Sequence, residues 1–471
     1  MNSKPFLFLF LCIVFVTNSF SQKQKTKQIS TFLQPYADSQ TFSGNILVAK
    51  KGKIIFQKSY GKANHNWNIS NENNTKFVIG SISKSFTATL ITKLIQEGKL
   101  NLNDPISTFF PSCPEEFQDV TIHHLMSNTS GIPNYFMLDG WIKGEFRKYI
   151  SYEDFLKLIF EFELIFPAGE GYHYSNSNYF LLGLIIEKIT NLTYENALQK
   201  YILQPLNMNQ TGVFANSKVL KNLASGYRFK ENGGYRNQMY MNFDLFKAGG
   251  NLYATTEDLL KLDQALYSNK LLNENSKKIL FNPKYRNGWN VSKIKINEKE
   301  YQNCNYDGQM EGYSSIIYRF TDENITIILL SNNGISYATK NHIVQNIASI
   351  LFDSYQKEKE PYSLVLNKAI FDGNLKEAIA NYSKVKNNYS INTDLIHDLA
   401  KQMDWSDLPE ISEEIYKFNV KLFPDKIETT FNLAEFYKQR GKIKKAIPLY
   451  KEVLKEYPNN SYLKNIINQE Y

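Results

Sequence analysis

Residues 77–95 read FVIGSISKSFTATLITKLI, and the reading of the whole chain turns on what Ser81 and Lys84 do there. FVIG leans toward β structure, after which Phe86, Leu90 and Leu94 recur at four-residue spacing. Ile91 and Ile95 widen the stripe until Gly98 stops it, a pattern that predicts an amphipathic helix. Ser81 opens that helix, where unpaired backbone N–H groups and the helix dipole favour developing negative charge. Lys84, one turn on and on the same face, lies within hydrogen-bond reach of the serine oxygen, and burial that lowered its pKa would make it a neutral base. The competing reading is an N-cap serine followed by a solvated lysine. Spacing alone does not choose between them. Ser-x-x-Lys recurs at Ser59 and Lys62, Ser292 and Lys295, Ser354 and Lys357, Ser383 and Lys386, and Ser461 and Lys464.

On the N-terminal side, FSGNILVAKKGKIIFQKSYGKAN from Phe42 gives two β-rich runs about a Lys-Gly turn, a predicted hairpin. On the other side, Asn101 to Asn282 mixes short helical patterns with turn-rich stretches such as NTSGIPNY and FPAGEGYHYSNSN, and predicts a mainly helical region carrying functional loops. From Tyr285 the texture changes to YRNGWNVSKIKI, KEYQNCNY, GYSSIIYRF and NITIILLSN, four β-rich runs that predict an antiparallel meander. YATKNHIVQNIASILFD reads as a closing helix, and the charged QKEKEP as a linker.

The 471 residues are 42% hydrophobic and 21% charged, a globular composition long enough for two or three packed cores. The net charge of +8 is spread over 54 basic and 46 acidic residues without a long basic run interleaved with aromatics, so no nucleic acid partner is expected. MNSKPFLFLFLCIVFVTNSFSQ places one lysine before an apolar run, Phe6 to Val16, and small residues at Ser19 and Ser21. This is the layout of a signal peptide cut after Ser21, and the run is short for the alternative, an uncleaved anchor. The mature chain is expected to be exported, periplasmic or secreted, with no stable membrane span. Cys113 and Cys304 alone remain after cleavage, too few for a disulfide framework, and whether they pair is left open.

In TTFNLAEFYKQRGKIKKAIPLYKEVLKEYPNN, Leu433, Ala434, Tyr437, Gly441, Ala446, Tyr450, Leu454 and Pro458 fall at the small and large positions of a helix-turn-helix unit, which resembles a tetratricopeptide repeat. One such unit cannot bury both faces, and Gly373 to Val385 and Glu413 to Lys426 are incomplete neighbours. A protein partner for these repeats is expected. The alternative is a plain helical appendage packed on the rest of the chain.

Two further motifs keep Ser81 and Lys84 company: Tyr174-Ser175-Asn176, in a loop before an apolar helix, and Asn305-Tyr306-Asp307-Gly308, entering a strand. With these the sequence resembles the serine β-lactamase and penicillin-binding-protein superfamily, in its class C β-lactamase, D-alanyl-D-alanine carboxypeptidase and esterase branch. That family uses Ser-x-x-Lys, Tyr-x-Asn and a third motif, Lys-Thr-Gly or His-x-Gly, in this order. FSGNILVAKKGKII, GSISKSFTA, EGKLNLNDPISTFFP, LMSNTSGIPNY, FPAGEGYHYSN, AGGNLYATTEDLLKL, YRNGWNV and GYSSIIY look like family signatures in family order, over roughly Thr41 to Phe352.

The resemblance implies an α/β (α+β) fold of the β-lactamase/transpeptidase type, an antiparallel sheet flanked by helices with a mainly helical subdomain, followed by an all-α repeat domain. The implied organisation is a signal peptide over 1–21, a hydrolase domain over 22–355, a linker over 356–362 and helical repeats over 363–471. Ser81 would be the nucleophile, Lys84 its proton acceptor, and Tyr174 a partner in moving the proton to the leaving group. Asn176 would bind substrate and hold Lys84, and the N–H groups of Ser81 and Gln309, beyond Gly308, would form the oxyanion hole. No cofactor or metal is implied, and neither H-E-x-x-H nor G-x-S-x-G spacing occurs.

The chain departs from the family at the third motif, where Tyr306 stands in place of lysine or histidine and Asp307 follows. A tyrosine donates a hydrogen bond but carries no positive charge at neutral pH, and Asp307 adds a negative one. A site that grips a carboxylate wants the opposite sign. The expectation is an exported serine hydrolase acting through an acyl-enzyme on a small ester, amide or D-amino-acid peptide, and not an efficient β-lactamase. A register one residue off, with Asp307 turned away from the cleft, is the competing reading of this motif. At the level of function the alternative is a catalytically decayed fold that serves as a binding or scaffold module.

Overall fold

The computed structural model describes residues 22–138, 144, 147 and 149–468, so the predicted signal peptide lies outside the described residues. The hairpin read from Phe42 is β1 (Gly44–Lys50) and β2 (Lys53–Tyr60), turning at Lys51 and Gly52. The four runs from Tyr285 become β3 (Asn290–Ile296), β4 (Lys299–Met310), β5 (Tyr313–Phe320) and β6 (Ile325–Ser331). All six pair antiparallel in the order β3-β4-β5-β6-β1-β2, so the chain's early hairpin joins the late meander through β1 and β6.

Alternation along the inner strands sorts side chains between two cores. Ile46 and Val48 of β1, Ile316 and Tyr318 of β5 and Ile327 and Leu329 of β6 face one cluster; Leu47, Ile317, Ile328 and Leu330 face the other. Both faces are covered, which is why ITIILLS reads as an unbroken apolar run. The first face is roofed by α1 (22–38) and, later, by the closing helix.

On the second face lie α2 (Ser83–Gln96), α3 (Asn176–Thr190) and α4 (Thr256–Ala265), among shorter helices and loops. Helix α2 is buried nearly all round, well beyond the apolar stripe that predicts it. Its polar side chains tolerate this because Thr87, Thr89 and Thr92 donate to the carbonyls of Ser83, Ser85 and Ala88 one turn back. Beneath the sheet, Arg319 of β5 and Asp263 of α4 form a buried ion pair, and Thr326 donates to the same carboxylate at 2.6 Å.

The closing helix is α5 (Tyr337–Leu351), after which residues 354–360 carry no regular structure. Then follow α6 (Tyr362–Asp372), α7 (Leu375–Val385), α8 (Thr393–Trp405), α9 (Pro409–Leu422), α10 (Ile427–Gln439), α11 (Ile443–Glu456) and α12 (Ser461–Asn468). From α8 onward each helix packs on its successor around one apolar cluster, in which Leu433, Ala434, Tyr437, Ala446 and Tyr450 are all buried.

This helical region is docked on the sheet domain by directed hydrogen bonds. Asp398 accepts from the Ala338 N–H at 2.6 Å, Arg236 donates to the Ser406 carbonyl at 2.9 Å, and Asn367 donates to the Ser39 carbonyl at 2.9 Å. Cys113 and Cys304, whose pairing the sequence leaves open, are both free and buried thiols.

Candidate active site

The corner that carries Ser81 begins at Phe77–Val78, paired with Leu252–Ala254, and continues into a single 3-10 turn, Gly80–Ile82, that runs straight into α2. Ser81 therefore sits in the turn ahead of the helix instead of opening the α-helix itself. The N-cap reading does not survive, since Ile79 and Ile82 hold the cap positions and neither Ser81 nor they cap with a side chain.

Two glycines let the third-motif strand lie against this turn. Gly80 has φ +53°, and a Cβ there would come 2.9 Å from the Gln309 backbone nitrogen; a Cβ on Gly308 would overlap the Ile79 carbonyl oxygen at 2.0 Å. Ser315 Oγ, donating to that same carbonyl at 2.7 Å, ties the turn to β5.

Ser81 Oγ is 2.6 Å from the Tyr174 hydroxyl and 3.2 Å from Lys84 Nζ. Lys84 is fully buried, which overturns the solvated-lysine alternative. Its amine also reaches Asn176 Oδ1 at 2.7 Å and the Gly249 carbonyl at 2.5 Å. Burial pushes its pKa down to about 7, with the Asp307 carboxylate opposing. A neutral amine has two N–H donors and one lone pair. Asn176 and Gly249 take the donors, which leaves the lone pair directed at the Ser81 hydroxyl. Burial raises the Tyr174 pKa well above that of an ordinary phenol, so Tyr174 keeps its proton at neutral pH.

Tyr174 and Asn176 are held by the NTSGIPNY loop. Asn128, in the left-handed conformation with φ 57°, accepts through Oδ1 from the Ser175 N–H and from Asn178 Nδ2, each at 3.1 Å. Ser175 and Ser177 both donate to the Pro133 carbonyl, at 3.0 and 2.7 Å. Asn128 and Gly249 are supporting residues that sequence reading did not single out. Their signal was present as the turn-rich NTSGIPNY and the AGGNLY stretch.

The third motif lies where β4 runs past the end of β3: Asn290 pairs with Asn305, and Tyr306 to Met310 have β5 alone as strand neighbour. Tyr306, Asp307 and Gln309 line a cavity of about 620 Å³ together with Ser81, Tyr174 and Asn176. Asp307 faces this cavity, so the register-shift reading falls. The Gln309 side chain is tied away from Ser81, donating to the Gly334 carbonyl at 3.2 Å and accepting from Ser314 Oγ at 2.9 Å, while its backbone nitrogen stands beside Gly80.

The negative charge expected from Asp307 is present but has a cationic partner. Fully buried Lys340 of α5 approaches the Asp307 carboxylate at 3.3 Å and donates to the Gly308 and Ser315 carbonyls at 3.1 Å each. Glu311, also on the cavity wall, is paired with Arg228 at 3.0 Å. Arg286, a further lining residue, stacks its guanidinium 4.8 Å from the centre of the Tyr172 ring and has no carboxylate partner among the described residues. A cation that the sequence did not reveal thus stands on the cavity wall, while both carboxylates are compensated from behind or beside.

Among the described residues no group of His, Cys, Asp and Glu is arranged to hold a metal ion, and no helix is long and apolar enough to cross a membrane. The beta-lactamase family model matches residues 29–350. Penicillin-binding protein 4* of Bacillus subtilis (strain 168) is 28% identical over 353 residues, covering 70% of this chain and 77% of that protein. A penicillin binding protein from Bacillus halodurans superposes with a TM-score of 0.59 at 29% identity, covering 68% of this chain and 98% of the other. A D-amino acid amidase from Ochrobactrum anthropi SV3 superposes at 0.58 with 20% identity, covering 69% and 99%. With a fold of this kind, and a family match spanning its whole sheet domain, the chain belongs to the beta-lactamase family.

Proposed function

We propose that the protein is an exported serine hydrolase that works through a Ser81 acyl-enzyme on a small ester, an amide or a D-amino-acid peptide. The observation that carries this reading is the Lys84 amine, buried and saturated with two acceptors, with its remaining contact on the Ser81 hydroxyl. Ser81 Oγ attacks the carbonyl carbon as its proton passes to Lys84. The carbonyl oxygen takes up negative charge, which the N–H groups of Ser81 and Gln309 stabilise, and such donors in a dry site contribute about 3 kcal/mol each.

Tyr174, hydrogen-bonded to the same serine oxygen, passes a proton to the leaving group as the carbon–leaving-group bond breaks and is reprotonated by the one Lys84 took from Ser81. Water then attacks the acyl-enzyme with the proton path reversed, releasing the acid and restoring Ser81. Beside the nucleophile the third motif offers a neutral phenol, Tyr306, whose pKa burial raises further. That favours substrates without a carboxylate next to the scissile bond, and slow turnover of β-lactams. Arg286 suits an anionic group elsewhere on the substrate. The helices from residue 363 are read as a short tetratricopeptide-like array with a protein partner.

The test is a fluorophosphonate probe on the folded mature protein. A mass adduct on Ser81, absent in Ser81→Ala, is the expected result. Folded protein that stays unlabelled and shows no ester turnover would leave the binding-module reading in its place. Nitrocefin turned over as fast as a neutral acyl ester would sink the substrate preference alone.

A further inference from the structure

The cavity that holds Ser81 is not closed by the hydrolase domain alone. Trp405, the last residue of α8 in the appended helical region, lines it together with Ser81, Tyr172 and Arg286. Trp405 is 49% exposed and Tyr172 47%, so two large, partly exposed aromatic residues line the cavity that holds Ser81. A single exposed aromatic means little, but two in one concave site supply the flat, weakly hydrated area that binding sites use.

The residues flanking Trp405 are anchored from both sides of the cavity. On one side Asp404 accepts from Arg440 Nε at 2.9 Å, which ties the end of α8 to the turn after α10. On the other side the Ser406 carbonyl accepts from Arg236 of the hydrolase domain at 2.9 Å, while Gln402, one turn back, donates to the Asn333 carbonyl at 3.4 Å. Lys401 places its ammonium 5.3 Å from the centre of the indole ring. A tryptophan on backbone anchored in this way has little backbone freedom left to lose when a ligand packs on it, and aromatic anchors contribute strongly to binding.

We propose that Trp405 is a specificity-determining residue and that the helical region supplies one wall of the substrate site. The substrate it selects carries, away from the scissile bond, an aromatic or extended apolar group that lies against Trp405. This rests on the acyl-transfer reading of Ser81. A compact substrate reacts at Ser81 without reaching Trp405.

The experiment compares two fluorophosphonates on the full-length mature chain, one with a methyl substituent and one carrying a long biphenyl-terminated chain, by their second-order rates of Ser81 labelling. In the unmodified protein the extended probe should label at least tenfold faster. Trp405→Ala should lower extended-probe labelling at least tenfold more than methyl-probe labelling, with the melting temperature recorded alongside, and Trp405→Phe should restore most of that difference. An unchanged ratio in Trp405→Ala overturns the proposal, as does an equal fall for both probes. Failure of the methyl probe to label Ser81 in the unmodified chain overturns the acyl-transfer reading itself, so the two failures are distinguishable.

Discussion

The two sides of the cavity are built differently. On the Ser81 side, Ser81, Lys84, Tyr174 and Asn176 come from two short stretches, and their polar atoms are tied to one another, to the Gly249 carbonyl and to the Asn134 side chain. On the facing side, Tyr306 and Asp307 come from β4, Arg286 from the segment before β3, Arg228 from a short strand and Trp405 from another domain. There Asp307 is paired with Lys340 from outside the cavity, Glu311 with Arg228 on the wall itself, and Arg286 has no carboxylate partner among the described residues. The first side is densely hydrogen-bonded around a buried lysine, as proton transfer requires. The second is open, and its members can change one at a time without undoing the chemistry.

That division predicts effects of falling size. Ser81→Ala should lower kcat for a reactive ester by about 10⁴-fold or more, since nothing else in the shell offers a nucleophile. Tyr174→Phe should lower kcat by roughly 10²-fold with the fold intact, read from steady-state kinetics beside a thermal melt. A drop of less than about threefold would remove Tyr174 from the proton path.

The pH profile links the two sides. Lys84 is the base when neutral, and its pKa is about 7, so kcat/KM should rise about tenfold per pH unit below 7 and level off above it. The Asp307 carboxylate stabilises the Lys84 ammonium and so raises this pKa. Asp307→Asn should therefore move the acid limb to lower pH. A limb that stays in place would mean the two sides are electrostatically independent.

The smallest effect belongs to the facing wall. Arg286→Gln should raise KM roughly threefold to tenfold for an ester bearing a remote carboxylate, with kcat unchanged and a neutral ester unaffected. Equal effects on both esters would give Arg286 a structural role only.

How much of this could be read in advance differs between the two sides for a physical reason. Ser59 and Lys62 have the same spacing as Ser81 and Lys84 but lie on and just after the strand β2, while Ser461 and Lys464 sit on an exposed helix. What set Ser81 apart was the β-leaning run before it and the apolar helix after it, both local patterns. The burial of Lys84 was not local. It depends on Asn176 and Gly249, 92 and 165 residues away in the chain. The compensation of Asp307 was equally hidden, because Lys340 reads as one more polar residue on an amphipathic helix until α5 packs under β4 and β5.

By itself the sequence determined the hairpin, the meander, the closing helix, the order of the motifs and Ser81 with Lys84 as the candidate pair, because periodicity and short-range spacing are encoded in adjacent residues. Tertiary structure alone decided that Lys84 loses its water and is poised to deprotonate near pH 7. It also decided that the cavity wall carries Arg286 and is completed by Trp405. Desolvation and cavity lining arise from segments that meet only when the chain is folded.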